Sequence, residues 1–157
     1  MGKNSRDQTG EAFALANEVR LEALIGFALR RAHFAAENHY HKLADERRLT
    51  PRQVGVLVSL VQSGPTTIAE LSERIFVDRN TVGEMITRMA KAGLIQKRTP
   101  PENRRVVEIL VTRKGIDELR HSLPAIVRSQ AEVLEAVPAR DRPVFLRCLA
   151  LIADRFS

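Results

Sequence analysis

The sequence contains a single cysteine, Cys148, among 157 residues. That rules out an intrachain disulfide and argues against a cysteine-ligated structural metal site. No apolar run approaches the ~18 residues of a membrane span, and the opening MGKNSRDQTGEAF carries no apolar signal region. A soluble, cytoplasmic protein with no membrane partner is therefore expected. There is no internal repeat, low-complexity tract, glycine-rich phosphate loop or nucleophile elbow. No carboxylate or histidine set stands at catalytic spacing in the basic part of the chain, so neither an enzyme nor a bound cofactor is expected.

Hydrophobic side chains make up 44% of the chain, enough to bury one sizeable core as one domain or two intimately packed lobes. The net charge of +6 is unevenly placed: residues 66–114 hold ten Lys/Arg against six Asp/Glu, while the remaining 108 hold 15 against 13. A basic middle between nearly balanced ends suits a polyanion-binding segment. On charge alone, a modest arginine excess that merely aids solubility is an equal alternative.

Residues 1–10 are expected to be a disordered tail. From Glu11 to about Arg48 there is no proline and one internal glycine, Gly26. This predicts one long helix or two abutting ones, with Leu21, Leu24, Ile25, Ala28, Ala32, Ala35 and Leu43 on one side. Such a length suggests pairing with another subunit. In TPRQVGVLVSLVQSGP, Thr50 reads as an N-cap and Pro51 as the first helical residue. Val54, Leu57, Val58 and Val61 are expected to face inward, and SGP ends the helix.

Thr67 and Glu70 have capping-box spacing and should start a short helix burying Ile68, Leu71 and Ile75. Asp78 offers the next N-cap, with Val77 and Val82 at hydrophobic-staple positions. The helix that follows should bury Val82, Met85, Ile86 and Met89. Its other side presents Asn80, Gly83, Glu84, Thr87 and Lys91, flanked by Arg79 and Arg88. Short hydrogen-bonding groups, a glycine permitting close approach and flanking cations suit a groove of base edges lined by phosphates; a merely solvated helix face is the alternative. AGLIQKR should end the helix at Gly93 and begin a strand, TPPEN should turn, and RRVVEILV should return with Val107, Ile109 and Val111 on one face. A helix pair followed by a hairpin bearing Arg98, Arg104 and Arg105 is a winged helix-turn-helix layout. Its arginines are placed to enter a minor groove.

These residues resemble a known family. Leu71, Ser72, Ile75, Val77, Asp78, Thr81 and Val82, then Gly93-Leu94-Ile95, Asn103-Arg104-Arg105, and Val111-Thr112 with Gly115 are similar to the winged-helix core of MarR-type (multiple-antibiotic-resistance-regulator) transcription factors. The resemblance covers residues 50–116 specifically and the rest by layout. It implies a homodimer that binds a pseudo-palindromic DNA operator, usually as a repressor, and releases it when a small ligand binds. In the family's wing the commonest pattern is Asp-x-Arg; Asn103 replaces the aspartate here, so Arg105 keeps a hydrogen-bond acceptor but loses a charged brace.

Thr112 should cap another long helix reaching about Ala136 and kinked by Pro124. A last helix begins within PARDRP and carries Val144, Phe145, Cys148, Leu149, Ile152 and Phe156. Neither end of the chain can bury its apolar stripe alone, so both are expected to intertwine with a partner chain. Cys148 is read as a core residue rather than a redox sensor.

The expected fold class is mainly α with a small β-hairpin wing. A winged helix-turn-helix domain spans 50–112, with a dimerisation region from 11–49 and 113–157. Expected DNA contacts are Thr67, Arg79, Asn80, Thr81, Gly83, Glu84, Thr87, Arg88, Lys91, Arg98, Asn103, Arg104 and Arg105. The resemblance places a ligand cleft between the two regions. Phe27, Arg30, His33, Phe34 and Tyr40 would line it, a mixture suited to an aromatic acid, a phenol or an acyl-CoA thioester. His33, Glu37 and His41 recur every four residues and could hold zinc. No cysteine joins them and His39 fits no ligand set, so a zinc-responsive regulator is the alternative, as is a winged-helix protein-interaction module.

Overall fold

The computed structural model describes residues 16–44 and 49–156, residue 156 by its backbone alone. The expected disordered tail, residues 1–10, lies outside the described residues, as does the Phe156 side chain. The chain divides into two compact units, one ending at Asn38 and the other beginning at His39.

In the first unit a helical turn at 16–18 and a 3-10 turn at Leu21–Ala23 precede helix α1, Ile25–Leu43, which continues into the second unit. Of the one long helix or two abutting ones expected from residue 11 onward, the single helix is excluded by a break before Ile25. Arg20 and Leu24 take extended backbone, with φ of −89° and −80°. The Leu24 carbonyl instead accepts the N–H groups of Phe27 and Ala28 at 3.0 and 3.1 Å, opening α1 afresh. No proline or glycine marks the break, so periodicity is blind to it. Most of the described apolar side chains of this unit are exposed, Ile25 at 66% and Phe34 at 63%, while Leu29 is half-buried.

The second unit contains α2 (Pro51–Ser63), α3 (Ile68–Ile75), α4 (Arg79–Lys91), β1 (Ile95–Arg98), β2 (Glu108–Val111), α5 (Arg113–Glu135) and α6 (Arg142–Phe156). Thr50 caps α2 with Pro51 at its start, and Gln53 closes a capping box that the sequence reading missed. Gly64, at φ 74°, ends that helix. Helix α2 packs against α3, α5 and β2. Covered on several sides, it buries Val56 and Leu60 along with Val54 and Leu57, while Val58 is half-buried. Val61, expected inside, is exposed at 53%. Leu71, Val82, Ile86, Met89, Ile95 and Ile109 complete the centre of the core. About 25 cal/mol per Å² of buried apolar area makes this cluster the main stabiliser of the unit.

Helix α4 ends in a Schellman motif: Gly93, at φ 74°, donates to Ala90 O at 2.9 Å, and Leu94 N–H donates to Met89 O at 3.0 Å. The chain then enters an antiparallel hairpin in which Ile95 faces Val111 and Arg98 faces Glu108. Thr66 adds a one-residue third strand, exchanging both backbone bonds with Ile109. The second strand is shorter than the expected return through RRVVEILV. Asn103 accepts the N–H of Arg105 on its side chain at 3.2 Å and that of Val106 on its carbonyl at 3.1 Å, which withholds both donors from the ladder. Val107, outside the strand, is 46% exposed.

Thr112 caps α5, accepting Gly115 N–H at 3.1 Å, and one helix runs to Glu135 with Pro124 inside it. A β-carbon at Gly115 would lie 2.1 Å from the Leu94 carbonyl oxygen, so only glycine lets the hairpin meet α5 here. Tyr40, expected to line the ligand cleft, is 1% exposed; its hydroxyl donates to Leu49 O at 2.6 Å, and Leu49 N–H donates to Ser122 Oγ. On α6, Val144, Phe145, Leu146, Leu151 and Ile152 are exposed, and so is Cys148. The expectation that Cys148 is a core residue therefore does not hold among the described residues of one chain, where it is exposed. No described helix is long and apolar enough to cross a membrane.

Candidate nucleic-acid interface

Two capped helix N-termini frame the surface that joins α3 to α4. At the first, Glu70 Oε2 accepts three bonds: from Thr66 Oγ1 and Thr67 N–H, each at 2.7 Å, and from Thr67 Oγ1 at 2.9 Å. Glu70 N–H in turn donates to Thr67 Oγ1. Chiefly the Thr67 backbone bond, then the two threonine hydroxyls, push the Glu70 carboxyl down from 4.5 to about 2. At the second, Asp78 Oδ1 accepts Thr81 N–H at 2.9 Å. The hydroxyl and N–H of Thr81 hold the Asp78 carboxyl below its ordinary value.

These caps fix how α4 presents its faces. Val82, Met85, Ile86 and Met89 are buried, as expected. Arg79, Asn80, Glu84, Thr87, Arg88 and Lys91 are exposed on the rest of the helix, with Thr81 and Gly83 half-buried between them. A β-carbon at Gly83 would meet nothing within 4 Å, so the fold does not require glycine there. Thr87 Oγ1 donates to Gly83 O at 2.9 Å, which leaves its lone pairs free to accept. Arg79 and Arg88 make only long, exposed ion pairs, with Glu73 at 3.7 Å and Glu84 at 3.8 Å. Such pairs contribute about 0–1 kcal/mol, so either arginine is readily transferred to a phosphate.

The expected wing residues separate into two kinds. Arg98 is already engaged, its Nη2 and Nε lying 2.6 and 3.1 Å from Glu108 Oε2. Arg104 and Arg105 are exposed at the tip, and no side-chain partner of either is found among the described residues. Asn103 orders that tip through the Arg105 backbone rather than through the expected pairing with its guanidinium.

Phe76 gives no signal in the sequence. It caps the C-terminus of α3 in the left-handed region, at φ 52° and ψ 46°, and is 79% exposed. A β-carbon in that region costs about 1–2 kcal/mol.

The expected ligand residues are dispersed. Tyr40 borders a cleft of about 300 Å³ with Leu43, His121, Pro124, Ala125 and Arg128. Phe27 lines a separate groove in the first unit with Leu21, Ala28, Arg31 and Ala32. Arg30, His33 and Phe34 line neither. His33 Nε2 lies 3.4 Å from Glu37, and among the described residues no three His, Cys, Asp or Glu side chains gather as a metal site. His39, which fitted no ligand set, instead places Nε2 2.6 Å from Glu132 Oε2. Arg128, with His39 second, holds the Glu132 carboxyl below its ordinary value.

Residues 49–107 match the MarR family model. The HTH-type transcriptional repressor NicR of Pseudomonas putida is 26% identical over 130 residues, covering 83% of this chain and 82% of NicR. The PcaV transcriptional regulator of Streptomyces coelicolor, solved with its natural ligand, superposes with a TM-score of 0.78 at 26% identity, covering 87% of this chain and 96% of PcaV. The transcriptional repressor CouR, solved on a 23-mer DNA duplex, gives a TM-score of 0.75 at 25% identity, with 87% and 99% covered. The capped helix pair, the arginine-tipped hairpin and these likenesses agree: over residues 49–107 the chain is similar to the MarR family of winged helix-turn-helix, DNA-binding transcriptional regulators.

Proposed function

We propose that this protein is a cytoplasmic homodimer and not an enzyme, acting as a repressor that binds a pseudo-palindromic operator and is released by a small aromatic acid, phenol or acyl-CoA thioester. The observation that carries the DNA reading is the exposed face of α4, where Asn80, Gly83 and Thr87 lie between weakly paired arginines, beside a wing tip whose Arg104 and Arg105 are exposed. Asn80, Thr81, Gly83, Glu84 and Thr87 face base edges. Thr67, Arg79, Arg88, Lys91, Arg98 and Arg104 serve the backbone, and Arg105, steadied by Asn103, enters the minor groove. The dimer reading, with 11–49 and 113–157 as the dimerisation region around a 50–112 DNA-binding domain, is supported by exposed apolar side chains near both ends, such as Ile25 at 66% and Leu151 at 61%. The effector reading draws support from PcaV, solved with a natural ligand, and from the mixture of Phe27, Arg30, His33, Phe34 and Tyr40.

Selection from random duplexes tests the proposal. An inverted repeat with half-sites about one helical turn, ~34 Å, apart should be enriched. Its affinity should fall steeply with salt, and a panel of aromatic acids and thioesters should include a compound that releases it. A selection that enriches no inverted repeat, or binding indifferent to salt, overturns the DNA reading. Release by zinc chelation with no response to any organic compound overturns the effector reading.

A further inference from the structure

Phe76 is the most exposed large hydrophobic residue described, at 79% against 66% for Ile25. It is also the one non-glycine residue with positive φ among the described residues. Its neighbours Ile75 and Val77 turn inward and pack on the core, so the chain directs the intervening ring outward. Packing does not explain a phenylalanine that touches so little. Turn geometry does not explain it either, since glycine would adopt the left-handed backbone freely. Strained residues of this kind are found where something outside the fold requires the side chain.

We propose that Phe76 is a DNA-reading residue whose ring packs against the 5-methyl group of a thymine at the edge of each half-site; this rests on the DNA-binding reading above. The ring stands two residues before Asp78, the N-cap of α4, and helix-turn-helix proteins direct the N-terminal part of that second helix at base edges. Exposed Arg74 and Arg79 flank it, so the surface combines one apolar ring with cations. Glu73 partners Arg79 only at 3.7 Å, an exposed pair that a phosphate can displace. Within a polyanionic groove the thymine methyl is the apolar group presented on base edges, and phenylalanine is among the side chains that meet it. An uncharged, purely apolar partner for the ring would not call for the flanking arginines.

The test uses the full chain and an operator selected by the wild type, with each thymine replaced in turn by deoxyuridine, which lacks only the methyl. One position per half-site should weaken wild-type binding roughly fourfold, or roughly fifteenfold when both half-sites are changed, as expected for one methylene-sized group. Phe76→Gly and Phe76→Asn should no longer distinguish thymine from deoxyuridine at that position, while melting at or above the wild-type temperature. Variants that keep wild-type affinity and discrimination overturn the inference. So does a uniform loss of affinity with no methyl-sensitive position. A wild type that selects no duplex overturns the DNA-binding reading along with it.

Discussion

Arg98 and Glu108 face each other across the hairpin, and their side chains meet too, Nη2 lying 2.6 Å and Nε 3.1 Å from one carboxylate oxygen. The charge of Arg98 in the stem of the wing is thus offset, while the tip stays cationic. Glu108→Gln should release one cation per wing and steepen the dependence of log affinity on log salt by about 0.9 per half-site. Fluorescence anisotropy between 50 and 200 mM salt, conditions set by the same counterion argument, measures the slope. An unchanged slope would mean that Arg98 serves the fold alone.

Arg105 should behave differently from the residues of α4. Arg105→Ala should cost more affinity on A·T-rich flanks than on G·C-rich ones, because a narrow minor groove concentrates negative potential. Asn80→Ala or Thr87→Ala should instead change which bases are preferred, at roughly 1–3 kcal/mol per lost contact. Equal binding of Arg105→Ala and wild type to both flank types would remove the wing from the interface.

Gly83 separates stability from binding. A methyl group there meets nothing within 4 Å, so Gly83→Ala should stabilise α4 by about 0.5–1 kcal/mol in urea unfolding. The same methyl should obstruct close approach to DNA and lower operator affinity at least about tenfold, a change of 1.4 kcal/mol. A variant that gains stability and binds normally would show that the glycine reserves no space for DNA.

The Thr67–Glu70 box should make stability depend on acid. Glu70 titrates at about 2 in the fold against 4.5 ordinarily, so its contribution is complete above pH 4.5 and disappears as the pH falls through about 2. Glu70→Gln should therefore unfold more easily than wild type at pH 7, and the gap should close between pH 4.5 and 2. Parallel urea titrations across that range report it; a gap that stays constant with pH would rule out the ionised box as its source.

Local signals in the sequence were legible where one residue type has one structural use. Thr50 with Pro51, Thr67 with Glu70, Asp78, Gly93 and Thr112 each mark a helix end, and each is found in that role. The inward face of α4 was equally readable, because Val82, Met85, Ile86 and Met89 recur at helical spacing with nothing to compete. Long-range pairing was not. The Arg98–Glu108 contact joins residues ten apart, and the Tyr40–Leu49–Ser122 chain joins two helices through a loop. Val61 was misplaced because periodicity locates an apolar arc but not the neighbours that cover it. The position of the break before α1 is not written in the sequence, because extended backbone at Leu24 needs no special residue.

The junction between α4 and α5 has little slack. Thr112 Oγ1 donates to Gly93 O at 2.6 Å, Lys114 Nζ donates to Ala92 O at 2.9 Å, and Gly115 lies directly beneath the Leu94 carbonyl. Helix α5 has 23 residues, a length of about 35 Å at 1.5 Å per residue. A displacement of ~3 Å at its far end, ~30 Å from Gly115, corresponds to a turn of ~6° about that glycine. With the joint held by these three contacts, a turn of α5 about Gly115 would be passed to the end of α4 rather than absorbed between them.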